Sequence, residues 1–181
     1  MSISSGEVVS VKWFIVGSVS LIFTFACWSP VALSSNKNNH LFFIERSKNK
    51  NLVQYDVRLT ENDNILDSDP VLVYWVLENG TQRDLNLIQR RFAYGIDSYE
   101  KLGKNKFRVF FVALKDREVI VEKTESSFRA ITAINGKPSV LERVYVESRE
   151  RWAGLPKVLY VDLFGRAKET GLRINERIVP K

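Results

Sequence analysis

The chain of 181 residues contains a single cysteine, Cys27, and a single histidine, His40. One cysteine cannot form a disulfide within the chain, and a cysteine/histidine zinc site needs more ligands than these two residues supply. Any triad that depends on histidine would have to use His40, which follows a Ser/Asn-rich run where a strand is expected to begin. The sequence also lacks a glycine-rich phosphate loop. It therefore predicts no metal and no cofactor, and it carries no signature of an enzyme.

The chain also lacks a concentrated run of one charge. Its 27 Lys and Arg residues exceed its 21 Asp and Glu residues, for a net charge of +6, but the charges are spread along the sequence. No basic group has the aromatic and glycine pattern of an RNA-reading strand. We therefore predict a mixed, solvated surface and no nucleic-acid partner. The tightest basic groups are Arg46, Lys48 and Lys50, then Arg90 and Arg91, then Lys101, Lys104 and Lys106.

A long apolar run without charges, WFIVGSVSLIFTFA, occupies residues 13–26 and follows Lys12. Its basic edge, its length and the small residues after it are typical of a secretory signal, and it is shorter than the roughly 20 residues of a membrane span. Three outcomes stay open: lipidation of Cys27, cleavage near residues 32–34, or an uncleaved anchor. We predict a targeting segment at residues 1–34 and an exported domain, periplasmic or tethered at the cell envelope, that meets the membrane only through this segment.

Beyond residue 40 the apolar residues alternate, as expected for half-buried strands. The stretch HLFFIERSKNKNLVQYDVRL contains two such runs around a polar turn, and Asn135-Gly136 suits a tight hairpin turn that needs positive φ at both central positions. We predict a mainly β domain at residues 35–181, an antiparallel barrel or sandwich of about eight strands with one internal α-helix packed on it. The domain is expected to be a monomer.

The predicted helix begins at Thr81 as N-cap and ends at Gly95. Leu85, Ile88 and Phe92 recur at helical spacing and form one apolar stripe. We therefore expect this stripe to dock the helix onto the strand that contains Trp75.

Five segments in order, LFFIERSKNKNLVQYD, PVLVYW, LNLIQRRFAYGI, AINGK and YVDLFG, resemble the DUF4833 family, whose members are chiefly exported bacterial proteins. The resemblance covers residues 40–165. It implies an exported domain, and it implies no activity, because the family has none established.

Two groups of residues are candidate ligand sites. The turn near Arg46, Lys48 and Asn51 presents cationic and amide donors that suit phosphate, sulfate or a carboxylate. Its structural interpretation is a solvated hairpin end, with Arg46 turned inward to a carboxylate such as Asp56 and the lysines in water.

The second group combines aromatic bodies with polar tips, as saccharide and small-molecule sites do. Its members are Trp75, Gln89 and Tyr94, with Tyr74 beside them. Its structural interpretation is core packing of the helix on the sheet.

These observations favour a non-catalytic exported domain that binds a ligand or partner at the cell envelope, with a small anionic or saccharide ligand. One alternative is a hydrolase or lyase of an envelope polymer that uses Arg, Tyr and carboxylate groups. Another is a lipocalin-like carrier of an apolar ligand, which requires a hollow barrel.

Overall fold

The computed structural model describes residues 39–150 and 156–180. The predicted targeting segment, including Cys27, lies outside the described residues, so its interpretation as a signal stays a prediction. In the part of the chain that is described, no helix has the length and apolar character needed to span a membrane.

The described residues form a mainly β structure, as predicted, with eleven strands in place of about eight. Short helical turns occur at α1 (Leu87–Gln89), at a π-helical turn (Arg90–Tyr94) and at a 3-10 turn (Val112–Leu114). The strands are β1 (His40–Arg46), β2 (Asn49–Val57), β3 (Val71–Val76), β4 (Gln82–Asp84), β5 (Ile96–Gly103), β6 (Lys106–Phe111), β7 (Val119–Lys123), β8 (Phe128–Ile134), β9 (Lys137–Glu150), β10 (Pro156–Ala167) and β11 (Arg173–Ile178).

Nine strands follow one another in the order β4-β3-β2-β1-β9-β8-β7-β6-β5, and β10 and β11 extend the sheet from β9. All the strand pairs are antiparallel except one, the parallel pair of β1 and β9. The sheet curls into a half-barrel. This architecture fits the mainly β barrel or sandwich with one helix that the sequence predicts.

Strand β9 joins the two halves of the sheet. Its first residues pair with β8, its later residues 143–146 pair with β1, and β10 pairs along almost all of its length. Because β10 occupies one edge of β9, β1 and β8 lie end to end along the other edge. Strands β1–β4 form one arm of the sheet and strands β5–β8 form the other. Both arms therefore extend from a single shared strand, β9.

The core lies where the two arms face each other. Phe42 on β1 stacks on Tyr55 on β2 with ring centroids 4.4 Å apart, and both rings meet the edge of Phe111 on β6, at 5.4 and 5.1 Å. All three side chains are fully buried. Aromatic packing of this kind fills the space between the arms with side chains.

The turn between β8 and β9 has the conformation that the sequence predicts. Asn135 has φ 49° and Gly136 has φ 72°, so both residues take the left-handed backbone that a type I′ turn requires. Asn135 also binds β11 through its side-chain amide, which donates to the carbonyl of Asn175. The predicted hairpin is therefore confirmed, and a neighbouring strand reinforces it.

The predicted helix is wrong in its extent and in its buried face. Residues 82–84 form strand β4, and α1 begins only at Leu87, after Asn86 as N-cap in place of Thr81. Leu85 is buried, whereas Ile88 and Phe92 are each 70% exposed. The spacing of Ile88 and Phe92 correctly indicates helical turns at residues 87–94. Spacing alone does not determine which side of a helical turn faces the sheet.

Candidate functional site

Arg46, Trp75 and Tyr94 meet at one end of the core. Arg46 ends β1 on the face that carries Phe42 and Ile44, and its guanidinium carbon lies 4.5 Å from the centre of the Trp75 ring. Tyr94 approaches the same indole edge-on, with ring centroids 5.3 Å apart. The structure therefore unites a residue of the first predicted group with two residues of the second.

Gln89 joins this cluster through the indole nitrogen of Trp75, which donates to its side-chain oxygen at 3.1 Å. The same oxygen accepts from the backbone nitrogen of Asn86, whose own side chain accepts from the backbone nitrogen of Gln89, so the two residues form a capping box. The capping box holds Gln89 in place and thereby positions the buried Trp75 ring. We call Arg46, Trp75, Gln89 and Tyr94 the arginine–tryptophan cluster.

Tyr55 supports the cluster from inside the core. Its hydroxyl donates to the backbone carbonyl of Tyr94 at 2.8 Å. Burial, with a smaller contribution from the nearby phenol of Tyr94, raises the pKa of Tyr55 well above its usual value. Tyr55 therefore stays protonated and ties the π-helical turn to β2.

Among the described residues, the guanidinium of Arg46 has only neutral partners. It donates to the Tyr94 hydroxyl at 3.4 Å and to the side-chain oxygen of Asn49 at 3.3 Å, both long for hydrogen bonds. Its Nε is buried without a hydrogen-bond partner. Across residues 39–150 and 156–180, no carboxylate lies within 4 Å of Arg46. Within the described part of the chain, the half-buried cation is therefore left without a counter-ion.

The expected pairing of Arg46 with Asp56 is wrong. The side chain of Asp56 instead accepts hydrogen bonds from His40, Gln54 and Tyr74, on the opposite face of the sheet. Asp56 alternates with the inward-facing Tyr55 and pairs with His40 at one end of β1 and β2, whereas Arg46 pairs with Asn49 at the other end.

The remaining residues of the predicted turn lie at the hairpin end. Lys48 is exposed, and Lys50 pairs with Glu78 at 3.1 Å. The side-chain oxygen of Asn51 accepts from the backbone nitrogen of Glu78, so Asn51 connects β2 to the end of β3. This contact gives Asn51 a structural role, and it is Arg46 that the structure brings into the arginine–tryptophan cluster.

Sequence reasoning missed a second polar cluster, which centres on Asp56. This carboxylate is only 2% exposed, and its oxygens lie 2.6 Å from the Tyr74 hydroxyl and 2.9 Å from Nδ1 of His40. The alternation in LVQYDV could have placed Gln54 and Asp56 on one face, but the sequence contains no signal that brings His40 to them. Within the described residues, Asp56 is the only hydrogen-bond partner of the His40 ring, and the Tyr74 hydroxyl meets this pair through Asp56.

Two glutamates on β9 bear on the hydrolase alternative. Glu142 pairs with Arg166 at 2.7 Å. Glu147 accepts from the Tyr145 hydroxyl at 2.8 Å, and this hydrogen bond, with burial, raises the pKa of Tyr145. Each carboxylate therefore has its own partner, and the two do not pair with each other for acid/base chemistry.

A family model for a domain of unknown function, DUF4833, matches residues 42–177. The chain belongs to the DUF4833 family. This membership confirms the resemblance of the five segments, and the match covers the sheet from β1 to β11. Neither the curated proteins nor the solved structures that were searched contain a match to this DUF4833 chain.

Proposed function

We propose that this DUF4833 domain is an exported, non-catalytic binding domain that holds a small anion, such as a carboxylate, phosphate or sulfate, at the arginine–tryptophan cluster. The observation that carries the proposal is the half-buried guanidinium of Arg46, which has no acidic partner among the described residues and whose Nε is buried without a hydrogen-bond partner there. Charged groups that are removed from water are normally paired, because burial of an unpaired charge destabilises the folded protein. An anionic ligand would supply the missing counter-ion.

The cluster is suited to a ligand that combines a planar or apolar body with a negative group. Guanidinium groups bind carboxylate and phosphate oxygens in a fork geometry, and aromatic rings favour the flat faces of sugars or organic acids. Tyr94, which is half-buried, supplies a ring, the buried Trp75 holds Arg46 and Tyr94 in place, and Gln89 supplies an amide beside them. An acidic saccharide of the cell envelope matches all of these groups.

The packing of the core argues against the carrier alternative. A lipocalin-like carrier needs a hollow interior, whereas Phe42, Tyr55 and Phe111 fill the space between the two arms of the sheet. The hydrolase alternative gains no support from His40, since its only hydrogen-bond partner in the described structure is the buried Asp56. We therefore retain binding, without catalysis, as the proposal.

The experiment is a calorimetric titration of the full chain with sulfate, phosphate and glucuronate at low salt, where contacts between charges are least screened. We expect binding that Arg46→Gln abolishes and Arg46→Lys weakens, because lysine keeps the charge but loses the planar fork. Arg143→Gln is the matched control, since Arg143 is also half-buried over an aromatic ring but already has Glu45 as its partner.

The variants separate a specific site from general attraction to a basic protein. The site is supported if Arg143→Gln binds as the wild type does while Arg46→Gln does not bind. Equal affinity in both variants would refute the site at Arg46, and so would the absence of binding by the wild type.

A further inference from the structure

A cluster of exposed apolar side chains lies on the outer side of α1 and the π-helical turn. Leu87 is 79% exposed, and Ile88 and Phe92 are each 70% exposed, within six consecutive residues. Clusters of large exposed apolar side chains usually mark interaction sites, because solvation of such a surface is unfavourable. We call Leu87, Ile88 and Phe92, together with the residues between them, the 87–92 turn.

The inner side of the 87–92 turn is firmly attached to the domain. The side chain of Gln89 binds the Trp75 indole, and Tyr94 at the end of the segment packs edge-on against the same ring. Gly95 then ends the π-helical turn, and a Cβ at this position would lie 2.0 Å from the carbonyl oxygen of Arg90. The apolar side chains are therefore presented outward by a fixed support.

Arginines accompany the exposed apolar residues in this part of the sequence, and Arg91 lies 5.7 Å from the centre of the Phe92 ring. Arg83, Arg90 and Arg91 are exposed, and no carboxylate in the described structure pairs with any of them. Against these three cations, residues 82–94 contain one acid, Asp84, which leaves this segment with a net charge of +2. The partner of this surface should therefore combine apolar material with negative charge.

We propose that the 87–92 turn docks onto an anionic phospholipid surface. Leu87, Ile88 and Phe92 enter the boundary between headgroups and acyl chains, and the arginines contact the phosphates. A fluid lipid surface accommodates projecting side chains without a complementary groove, which suits a convex turn with three protruding residues. This contact is additional to the membrane contact expected from residues 1–34.

This inference goes beyond the proposed function and does not depend on it. Arg46 contacts Trp75 and Tyr94 on the inner side of the segment, whereas Leu87, Ile88 and Phe92 lie on the outer side. Loss of the apolar side chains should therefore leave binding of sulfate or glucuronate unchanged. Each proposal can fail while the other stands.

The experiment is hydrogen exchange of the full chain with vesicles of phosphatidylglycerol and phosphatidylcholine, and with vesicles of phosphatidylcholine alone. The amides of Leu87 and Ile88 lie in the first turn of α1, where N–H groups lack partners within the helix, so they exchange rapidly in water. We expect the anionic vesicles to slow exchange at residues 86–94 by about tenfold or more. This local measurement stays informative even if residues 1–34 also bind the vesicles.

The test variant is L87S/I88S/F92S, which removes only exposed side chains, and the matched control is Leu172→Ser on the turn between β10 and β11, where Leu172 is 69% exposed. We expect the triple variant to lose the protection and the control to keep it. F92S alone should reduce the protection, which provides a milder variant. A thermal unfolding midpoint close to that of the wild type would establish that each variant is folded.

Three results would overturn the proposal. One is unchanged exchange at residues 86–94 with anionic vesicles. Another is equal protection by phosphatidylcholine alone, since the arginines would then have no role. The third is protection that rises with protein concentration without vesicles, because the occupant would then be a second copy of the chain.

Discussion

Replacement of Arg46 by methionine should show whether Arg46 serves to stabilise the fold or to bind an anion. Methionine keeps most of the length of the side chain and its contact with Trp75, but it removes the charge. If Arg46 were retained to stabilise the fold through the cation–π contact and hydrogen bonds of its guanidinium, such a change would be costly. In a binding residue, it should affect the ligand far more than the fold.

The structure allows an approximate magnitude. The cation–π contact with Trp75 is worth about 0.5–2 kcal/mol, and a methionine sulfur on the ring replaces about 0.3–1.5 kcal/mol of it. The two hydrogen bonds of Arg46 are long and made to neutral groups, whereas the unpaired Nε costs about 1–3 kcal/mol, which Arg46→Met relieves. We therefore expect the free energy of unfolding to change by less than about 1 kcal/mol in either direction.

The assay is urea unfolding followed by circular dichroism, with the glucuronate titration on the same preparations. We expect Arg46→Met to unfold near the wild-type midpoint with an unchanged slope and to bind no anion. A loss of more than about 2 kcal/mol together with wild-type anion affinity would show that Arg46 is structural, and the reasoning would fail.

Three further predictions concern the fold. Phe111→Ala should cost about 3–5 kcal/mol because the ring is fully buried, whereas Phe92→Ala should cost less than about 0.5 kcal/mol; similar losses in urea unfolding would contradict the assigned faces. Tyr55→Phe should cost about 1–3 kcal/mol through the backbone carbonyl that it leaves unpaired, and faster hydrogen exchange at residues 90–94 should accompany the loss. The hydrogen bond from Arg177 lowers the pKa of Asp162, so the ionised Asp162 stabilises the fold above the unfolded pKa, and this stabilisation is lost as the pH falls through the folded pKa. Asp162→Asn should therefore reduce the free energy of unfolding more at pH 7 than at pH 3. An equal reduction at both pH values would contradict this.

The sequence predicted the features that depend on local chemistry. Alternation identified eight of the eleven described strands and missed β4, β5 and β11. Asn135-Gly136 specified its turn because both residues tolerate positive φ. The prediction of one helix from Thr81 to Gly95 was wrong because residue spacing alone does not distinguish a helix from shorter elements in succession. Leu85 and Phe92 have helical spacing, but a strand and two short turns can share that spacing when only one of the residues faces the core.

The candidate site was predicted as two separate groups because its members are far apart in sequence. Arg46 and Tyr94 are 48 residues apart, and their contact requires the curl of the sheet over Trp75. The cluster at Asp56 depends on the register of β1 against β2 across an irregularity, which no local pattern encodes. Residue types indicated possible ligand groups, whereas the topology determined which of them meet.

The shared strand β9 has a consequence for the order in which the chain can fold. Phe43 pairs with Arg143, so one edge of β1 has no partner until about a hundred more residues are available. Contacts over such sequence distances slow folding, and an unpaired edge invites association with other chains. The first arm of the sheet therefore remains incomplete during synthesis until the hairpin at Asn135-Gly136 brings β9 to β8 and presents its remaining edge to β1. The first arm can therefore complete its hydrogen bonding only after the second arm has been made, because β9 follows β5–β8 along the chain.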